Sequence, residues 1–196
     1  RAEALVLNPA LNPDGLRGAV SYCDVVMDDQ GVASDLLSEA QALGVSIKAQ
    51  TEVKSITEAG NVELVSGKSM AFDTVINTAG PWVSELLSAS NLTSNYEIAY
   101  VQGSHLILDL DLANPLVLQN NADQRIIFAI PFGNETLLGT TEVMVDIDQP
   151  IECSREEEDY LLEIATAQLS PRVGPLVVNS RFAGVRPIYK HKSEHP

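Results

Sequence analysis

Basic side chains are scarce in this sequence: 12 Lys and Arg stand against 27 Asp and Glu, a net charge of -15 at pH 7. Neither Lys nor Arg occurs between Lys68 and Arg125. A nucleic-acid binder needs a basic footprint for the phosphate backbone, so this balance argues against that class. An anionic substrate would have to be held in a local pocket. Cysteine is nearly absent as well. Cys23 and Cys153 lie far apart, form no metal motif and cannot make a disulfide framework. Three scattered His do not complete a zinc site, and reduced thiols in an intracellular protein are the expected state. No stretch approaches the ~18 consecutive apolar residues of a membrane-spanning helix. No basic amphipathic helix is present, and Arg1-Ala2-Glu3-Ala4-Leu5 lacks the pattern of a secretory leader. The 12 glycines include no G-x-G pair, so neither a dinucleotide phosphate cradle nor a P-loop lies in these residues. The start on Arg rather than Met reads as a cut from something longer.

What remains is a chain of 196 residues with 45% hydrophobic content, enough for one folded domain or two incomplete ones. Residues 8–18 carry two Pro and two Gly and read as a surface loop. Residues 19–27 are apolar enough for a strand. Val32, Leu36, Ala40 and Leu43 recur at helical spacing before Gly44, a C-cap residue, and residues 45–49 then alternate as a strand does. Residues 52–72 read as short antiparallel strands with turns at Ala59-Gly60-Asn61 and Gly67-Lys68-Ser69. A short strand at Val75-Ile76 leads to a bend at Gly80 and a helix opened by Pro81, with Val83, Leu86 and Leu87 on its inner face.

The second half changes character. Residues 96–109, 116–119, 125–130, 136–141 and 177–188 read as strands. Ser154 and Glu157 form a capping-box signature for a helix to about Gln168, with Leu161, Ile164 and Ala165 inward. The predicted fold is therefore α/β over the first part and α+β, mostly antiparallel, over the rest. The expected division is a lead-in at 1–18, a partial α/β region at 19–95, an antiparallel-sheet region at 96–189 and a frayed tail at 190–196.

A few residues stand where chemistry could be done. Thr78-Ala79-Gly80 sits at a strand end just before a helix, where ligands of open α/β sheets bind and where Gly80 lets a ligand approach the backbone; an ordinary tight turn would look the same. His105, beside Gly103 and Ser104, falls on the strand face opposite Leu106 and Leu108, placed either as a general base or as a structural histidine. Arg186 lies among apolar residues and needs an anion, either a ligand or an internal carboxylate. Thr140 and Thr141 offer hydroxyls near a bend, and structural use is the default. The run Glu156-Glu157-Glu158-Asp159 is expected to be solvated in the first turn of a helix, with no site role.

Several pieces in order resemble the FAD-dependent glycerol-3-phosphate dehydrogenases of the D-amino-acid-oxidase-like flavoprotein superfamily. They are Ala19-Val-Ser-Tyr22 with Asp28-Asp29, Val75-Ile-Asn-Thr-Ala-Gly-Pro-Trp82, Gln102-Gly-Ser-His105-Leu, Phe128-Ala-Ile-Pro131-Phe132, Leu138-Gly-Thr-Thr141-Glu142 and Gly184-Val-Arg186-Pro187. The family often has Lys or Arg at Gln102 and Trp at Phe132, and the tail after Tyr189 does not resemble it. The resemblance implies part of an FAD-binding Rossmann-like domain joined to a mostly antiparallel substrate domain, with the glycine-rich FAD unit ahead of Arg1 and further segments after Pro196. It implies FAD approached by Thr78, Ala79 and Gly80, with Val53 near the adenine. Arg186 would bind the phosphate of sn-glycerol 3-phosphate, and His105 would orient or deprotonate its hydroxyl during hydride transfer that yields dihydroxyacetone phosphate. Quinone, or oxygen, would take the electrons. A cytoplasmic protein is implied, with peripheral contact at the cytoplasmic face of the inner membrane left open through segments elsewhere. Homo-oligomerisation is open too, and the isolated chain is expected to bind FAD poorly. An amine or amino-acid oxidase of the same superfamily, whose substrate carboxylate would pair with Arg186, and a non-catalytic interaction module are the competing readings.

Overall fold

The thirteen-residue strand β4 (Tyr96–Leu108) organises the larger part of the protein. In the computed structural model, which describes residues 1–191, β9 (Val178–His191) runs antiparallel along its whole length, from Tyr96↔His191 to Leu108↔Val178. The other edge of β4 is shared. β7 (Glu135–Gly139) pairs with His105–Leu108, and β8 (Val143–Val145) pairs with Tyr100–Gln102. β6 (Ile126–Phe132) and β5 (Leu116–Gln119) continue the sheet beyond β7, and every pairing is antiparallel.

Alternation along these strands sends one set of side chains to a single face. Leu106, Leu108, Leu118, Ile127, Ala129 and Leu138 form that face, and α4 (Arg155–Gln168) covers it with Leu161, Ile164 and Ala165. The helix starts where the sequence predicts: Ser154 accepts from the Glu157 N–H at 3.2 Å, and the Glu157 carboxylate accepts from the Ser154 N–H at 3.0 Å. The opening residues are bound to this part as well. After α1 (Ala2–Leu7), Asn8 donates to the Asn114 carbonyl while Asn114 donates to that of Leu7, both at 2.7 Å. Ser170 N–H donates to the Ala10 carbonyl at 2.7 Å. The segment read as a surface loop is thus pinned over residues 8–12, and α1 was not expected.

The described residues divide into two compact units: residues 1–19, 79–84 and 94 onward, and residues 20–78 with 85–93. The second unit holds a meander of β1 (Val53–Ile56), β2 (Asn61–Leu64) and β3 (Ser69–Ala71). Ile56, Val62 and Leu64 are its buried centre, with Met70, Val75 and Leu92 against them. Gly60, at φ +81°, makes the turn between β1 and β2. α2 (Asp29–Ala42) is capped by Asp28, which accepts from the Gly31 N–H at 3.0 Å. None of its residues is buried. Gly80–Trp82 forms a 3₁₀ turn that runs into α3 (Val83–Ala89), whose Val83, Leu86 and Leu87 are half-buried as the spacing predicts.

The strands expected at 19–27, 45–49 and 75–76 are not formed. A strand is defined by its ladder, and among the described residues no neighbour pairs with these segments. Val20 and Val25 are 91% and 86% exposed. The mixed αβ class stands, with all formed sheet antiparallel. The last strand also runs further than expected: Tyr189 pairs with Ile98, and Tyr96 meets the Tyr189 ring edge-on at 5.7 Å. The expected fraying thus fails at residues 190 and 191, and residues 192–196 lie outside the described part.

Leu161 is fully buried at the centre of the α4 face. Leu161→Ala is expected to destabilise the intact protein by about 2–5 kcal/mol, read from the urea midpoint. Ser154→Ala, which removes the hydroxyl that accepts from the Glu157 N–H and donates to its carboxylate, is expected to cost about 1 kcal/mol.

Candidate active site

The face of β4 turned away from α4 carries Val101, Gly103, His105 and Ile107. Register places Gly139 of β7 and Phe182 of β9 on either side of His105. It also sets Gly184 beside Gly103 and Arg186 beside Val101. The imidazole of His105 stacks on Phe182 with centroids 5.0 Å apart and planes 13° from parallel. It also occupies the space a side chain at Gly139 would need, since a Cβ there would lie 2.3 Å from His105 Cδ2. Gly103 serves Arg186 in the same way: a Cβ would lie 2.7 Å from Arg186 Nη2 and 2.4 Å from Thr140 Oγ1. Both functional groups therefore lie directly on glycine backbone.

The electrostatics follow from this crowding. Arg186 Nη2 donates to Thr140 Oγ1 at 3.2 Å, and among the described residues no carboxylate pairs with the guanidinium. The internal ion pair that the sequence left open is absent there, and the cation keeps its capacity for an anion. Burial of His105, with the positive charge of Arg186 second, lowers the imidazole pKa from its ordinary value. The ring is thus held neutral at pH 7. Its Nδ1 is buried without a hydrogen-bond partner among the described residues. Such an atom is costly until a partner satisfies it.

The acidic run is solvated only in part: Glu156 and Asp159 are exposed as expected, and the reading fails at the two residues between them. Glu157 and Glu158 are buried, each only 6% exposed. Glu157 Oε1 accepts from Ser104 Oγ at 2.8 Å and from Thr141 Oγ1 at 2.5 Å. Its Oε2 accepts from Gln102 Nε2 at 2.8 Å and from the Ser154 hydroxyl at 3.0 Å. Burial pushes this carboxyl up, but hydrogen bonds from Thr141, the Ser154 backbone, Ser104 and the Ser154 hydroxyl outweigh it and hold the pKa below the usual value. Glu158 pairs with Arg155 and Arg181. Helix-dipole reasoning placed these acids correctly in the first turn but assumed that turn faced water. The overlooked signal was Gln102 and Ser104, two polar residues in phase with the apolar Leu106 and Leu108. Phe182, the partner of His105, was also missed.

A family model described as FAD dependent oxidoreductase (DAO) matches residues 1–196. The chain belongs to this family. It is 27% identical over 212 residues to an aerobic glycerol-3-phosphate dehydrogenase of Staphylococcus epidermidis, covering 100% of this chain and 38% of that protein. A Staphylococcus aureus enzyme of the same name is 25% identical over 211 residues, with the same coverage. The chain thus spans well under half the length of the curated relatives it matches. Among solved structures, the glycerol-3-phosphate dehydrogenase from Bacillus halodurans complexed with FAD superposes with a TM-score of 0.87 at 27% identity, over 98% of this chain and 42% of that one. Glycine oxidase from Bacillus cereus superposes at 0.76 and 21% identity, over 98% and 53%, a likeness of fold.

For an FAD-dependent oxidoreductase, the open sheet face fits the ring end of the cofactor. Phe128, Phe132 and Phe182 are exposed there, and Phe128 lies across Gly139 from His105. A flat aromatic ring suits such a surface, and the His105 Nδ1 and the Arg186 guanidinium, which has no carboxylate partner among the described residues, suit polar atoms beside it. The glycine-rich cradle for the diphosphate is not in this chain. Ala79 and Gly80 belong to the same unit as His105 and Arg186, and the Gly80–Trp82 turn packs against β9. Gly80 has φ +55° and open space where a Cβ would stand. Val53, in β1, and Thr78 belong to the second unit. The structure thus gathers His105 and Arg186 on one face and leaves Val53 and Thr78 in a separate body.

Gly139→Ala and Gly103→Ala are each expected to displace the group lying on them. In the intact enzyme, substrate-dependent flavin reduction should fall on the order of ten- to a hundredfold, with the far-ultraviolet circular dichroism unchanged. Wild-type rates would remove the glycine contacts from the chemistry.

Proposed function

We propose that the chain is the substrate-facing portion of a flavoprotein that oxidises sn-glycerol 3-phosphate to dihydroxyacetone phosphate. The observation that carries this reading is a guanidinium with no carboxylate partner among the described residues, set on the same face as a histidine whose buried Nδ1 has none either. Such a pair matches a substrate with an anionic end and a hydroxyl to deprotonate. Similarity along the whole chain to proteins named aerobic glycerol-3-phosphate dehydrogenase supports the choice of substrate.

Bound FAD supplies the two-electron acceptor for the C2 hydride. The remaining work falls to the protein. Arg186, steadied by Thr140, grips the phosphate with its planar fork and fixes the substrate on the sheet. His105, neutral because of burial and Arg186, takes the hydroxyl proton as the C2–H bond breaks. The C2 carbon leaves as a ketone, and the proton count balances on the imidazole. Thr78, Ala79 and Gly80 approach the cofactor backbone-first, and Val53 lies near its adenine, in the same proposal. So do quinone or oxygen as final acceptor, a cytoplasmic location with contact at the inner-membrane face through other parts of the protein, self-association, and the four-part division of the chain at residues 18, 95 and 189.

The test is the anaerobic visible spectrum of the intact protein before and after sn-glycerol 3-phosphate. Bleaching of the flavin band supports the reading. Bleaching only by amines or amino acids replaces the substrate with a carboxylate, and no flavin band overturns the reading. Arg186→Ala is expected to raise KM for glycerol 3-phosphate, with about 2–4 kcal/mol lost from kcat/KM.

The pH dependence has a definite sign. A base of lowered pKa is active above that pKa, so kcat/KM should fall on the acid side with a midpoint below the ordinary value of about 6.5. Removing the Arg186 charge should move that midpoint upward. A midpoint unchanged in Arg186→Ala would separate the two groups.

A further inference from the structure

We infer that Glu157 is the positioning residue for His105 and Arg186, acting from behind the sheet. The inference rests on the functional reading above for what these two groups do, and on hydrogen bonds alone for how they are held.

β7 and β8 share one edge of β4 and leave a gap opposite Gly103 and Ser104. Ladder pairing is interrupted there, and Thr141 bridges the gap. Its Oγ1 accepts from the Ser104 N–H at 2.8 Å, and its own N–H donates to the Ser104 carbonyl at 3.3 Å. Glu157 then locks the bridge. Its carboxylate ties down Gln102, Ser104 and Thr141 together, fixing β4 at two points and the β7–β8 link at a third.

On the opposite face, the functional groups stand between those fixed points. Gly103, flanked by Gln102 and Ser104, lies under the guanidinium. Thr140, next to Thr141, accepts from Arg186. His105, next to Ser104, rests on Gly139, the residue before Thr140. A shift of either backbone segment at the gap would move both groups relative to each other.

A capping role alone does not account for this carboxylate. The cap uses Oε2, through the Ser154 N–H and hydroxyl. Oε1 is devoted to Ser104 and Thr141. Among the described residues no Lys or Arg pairs with Glu157. An apolar side chain would fill a core position under a helix at lower cost than a buried anion. Ser154→Ala therefore separates the roles: it removes the hydroxyl's part of the cap and leaves the bonds from Gln102, Ser104 and Thr141 in place.

The experiment uses the intact, FAD-loaded protein as wild type, Glu157→Gln, Thr141→Val and Ser154→Ala. It has two readouts. One is the His105 titration midpoint, followed by NMR of 13C-labelled histidine and assigned with His105→Asn. The other is kcat/KM for sn-glycerol 3-phosphate. Among the described residues Arg186 on β9 is the charged group that bears on His105. Its other neighbours are uncharged: Gly103 and Ile107 on β4, Leu137 and Gly139 on β7, and Phe182 and Gly184 on β9. Misplacing Arg186 or exposing the imidazole raises the midpoint, which loss of overall stability does not do.

Glu157→Gln is expected to raise the midpoint by about 0.5 unit or more and to lower kcat/KM about tenfold or more. Thr141→Val, which removes one donor to Oε1, should shift both in the same direction by less, and it carries the test should Glu157→Gln not fold. Ser154→Ala should lower the melting temperature and leave both readouts unchanged. Wild-type values in Glu157→Gln, or equal losses in Ser154→Ala, overturn the inference. If sn-glycerol 3-phosphate does not reduce the wild-type flavin, the substrate reading fails, and the His105 midpoint still decides the role of Glu157.

Discussion

The pleat of β4 is the constraint on which the rest depends. Because successive side chains point to opposite faces, one strand can close a core and present a site with adjacent residues. Leu106 is fully buried under α4, while His105, its neighbour, faces the other way. The register with β9 is then decisive. A slip of β9 by one residue would turn Phe182 and Arg186 toward the helix side and put Arg181, Ala183 and Val185 on the open face. Pairing along the full length of β4 makes that slip expensive, since every ladder bond and the apolar face would have to be given up together.

Much of the larger unit could be read from the sequence because its signals are local. Leu116–Gln119 is short, apolar and bounded by Pro115 and Asn120, and β5 matches it residue for residue. Ser154 and Glu157 marked the start of α4, and three of its inward residues were chosen correctly from 3.6-residue periodicity. His105 and Arg186 stood out because each is a polar residue among glycines and apolar neighbours. The failures share a physical origin as well. Residues 19–27 and 45–49 have the composition of strands, but composition supplies side chains and not the neighbour to bond with. α1 is six residues long and gave no periodicity to read. The largest error, the solvated reading of Glu157 and Glu158, came from treating a helix end by itself. Whether an acid is buried depends on what faces it, and here the facing residues lie 53 and 55 positions away in sequence, at Ser104 and Gln102.

The second unit shows where the chain's own interactions run out. α2 presents Val32, Leu36 and Leu37 to solvent, and residues 20–27 leave Val20, Val25 and Val26 uncovered. An amphipathic helix draws most of its stability from the surface it packs on. Continuous apolar exposure of this kind marks surface meant to be covered.

Gly103 and Gly139 carry a consequence of another kind. At each, the volume of a missing methyl group is filled by polar side chains from the same fold: His105 at Gly139, Arg186 and Thr140 at Gly103. Neither position has a left-handed backbone, so an alanine there would meet side chains: the imidazole at Gly139, and the Thr140 hydroxyl and the guanidinium at Gly103. A lesion at either site would leave a protein that is made, folded and retained, because cellular quality control responds to lost stability rather than to lost chemistry. With His105 and Arg186 in the roles proposed for them, such alleles would be silent in an assay of abundance and would declare themselves only where the cell had to live on the reaction.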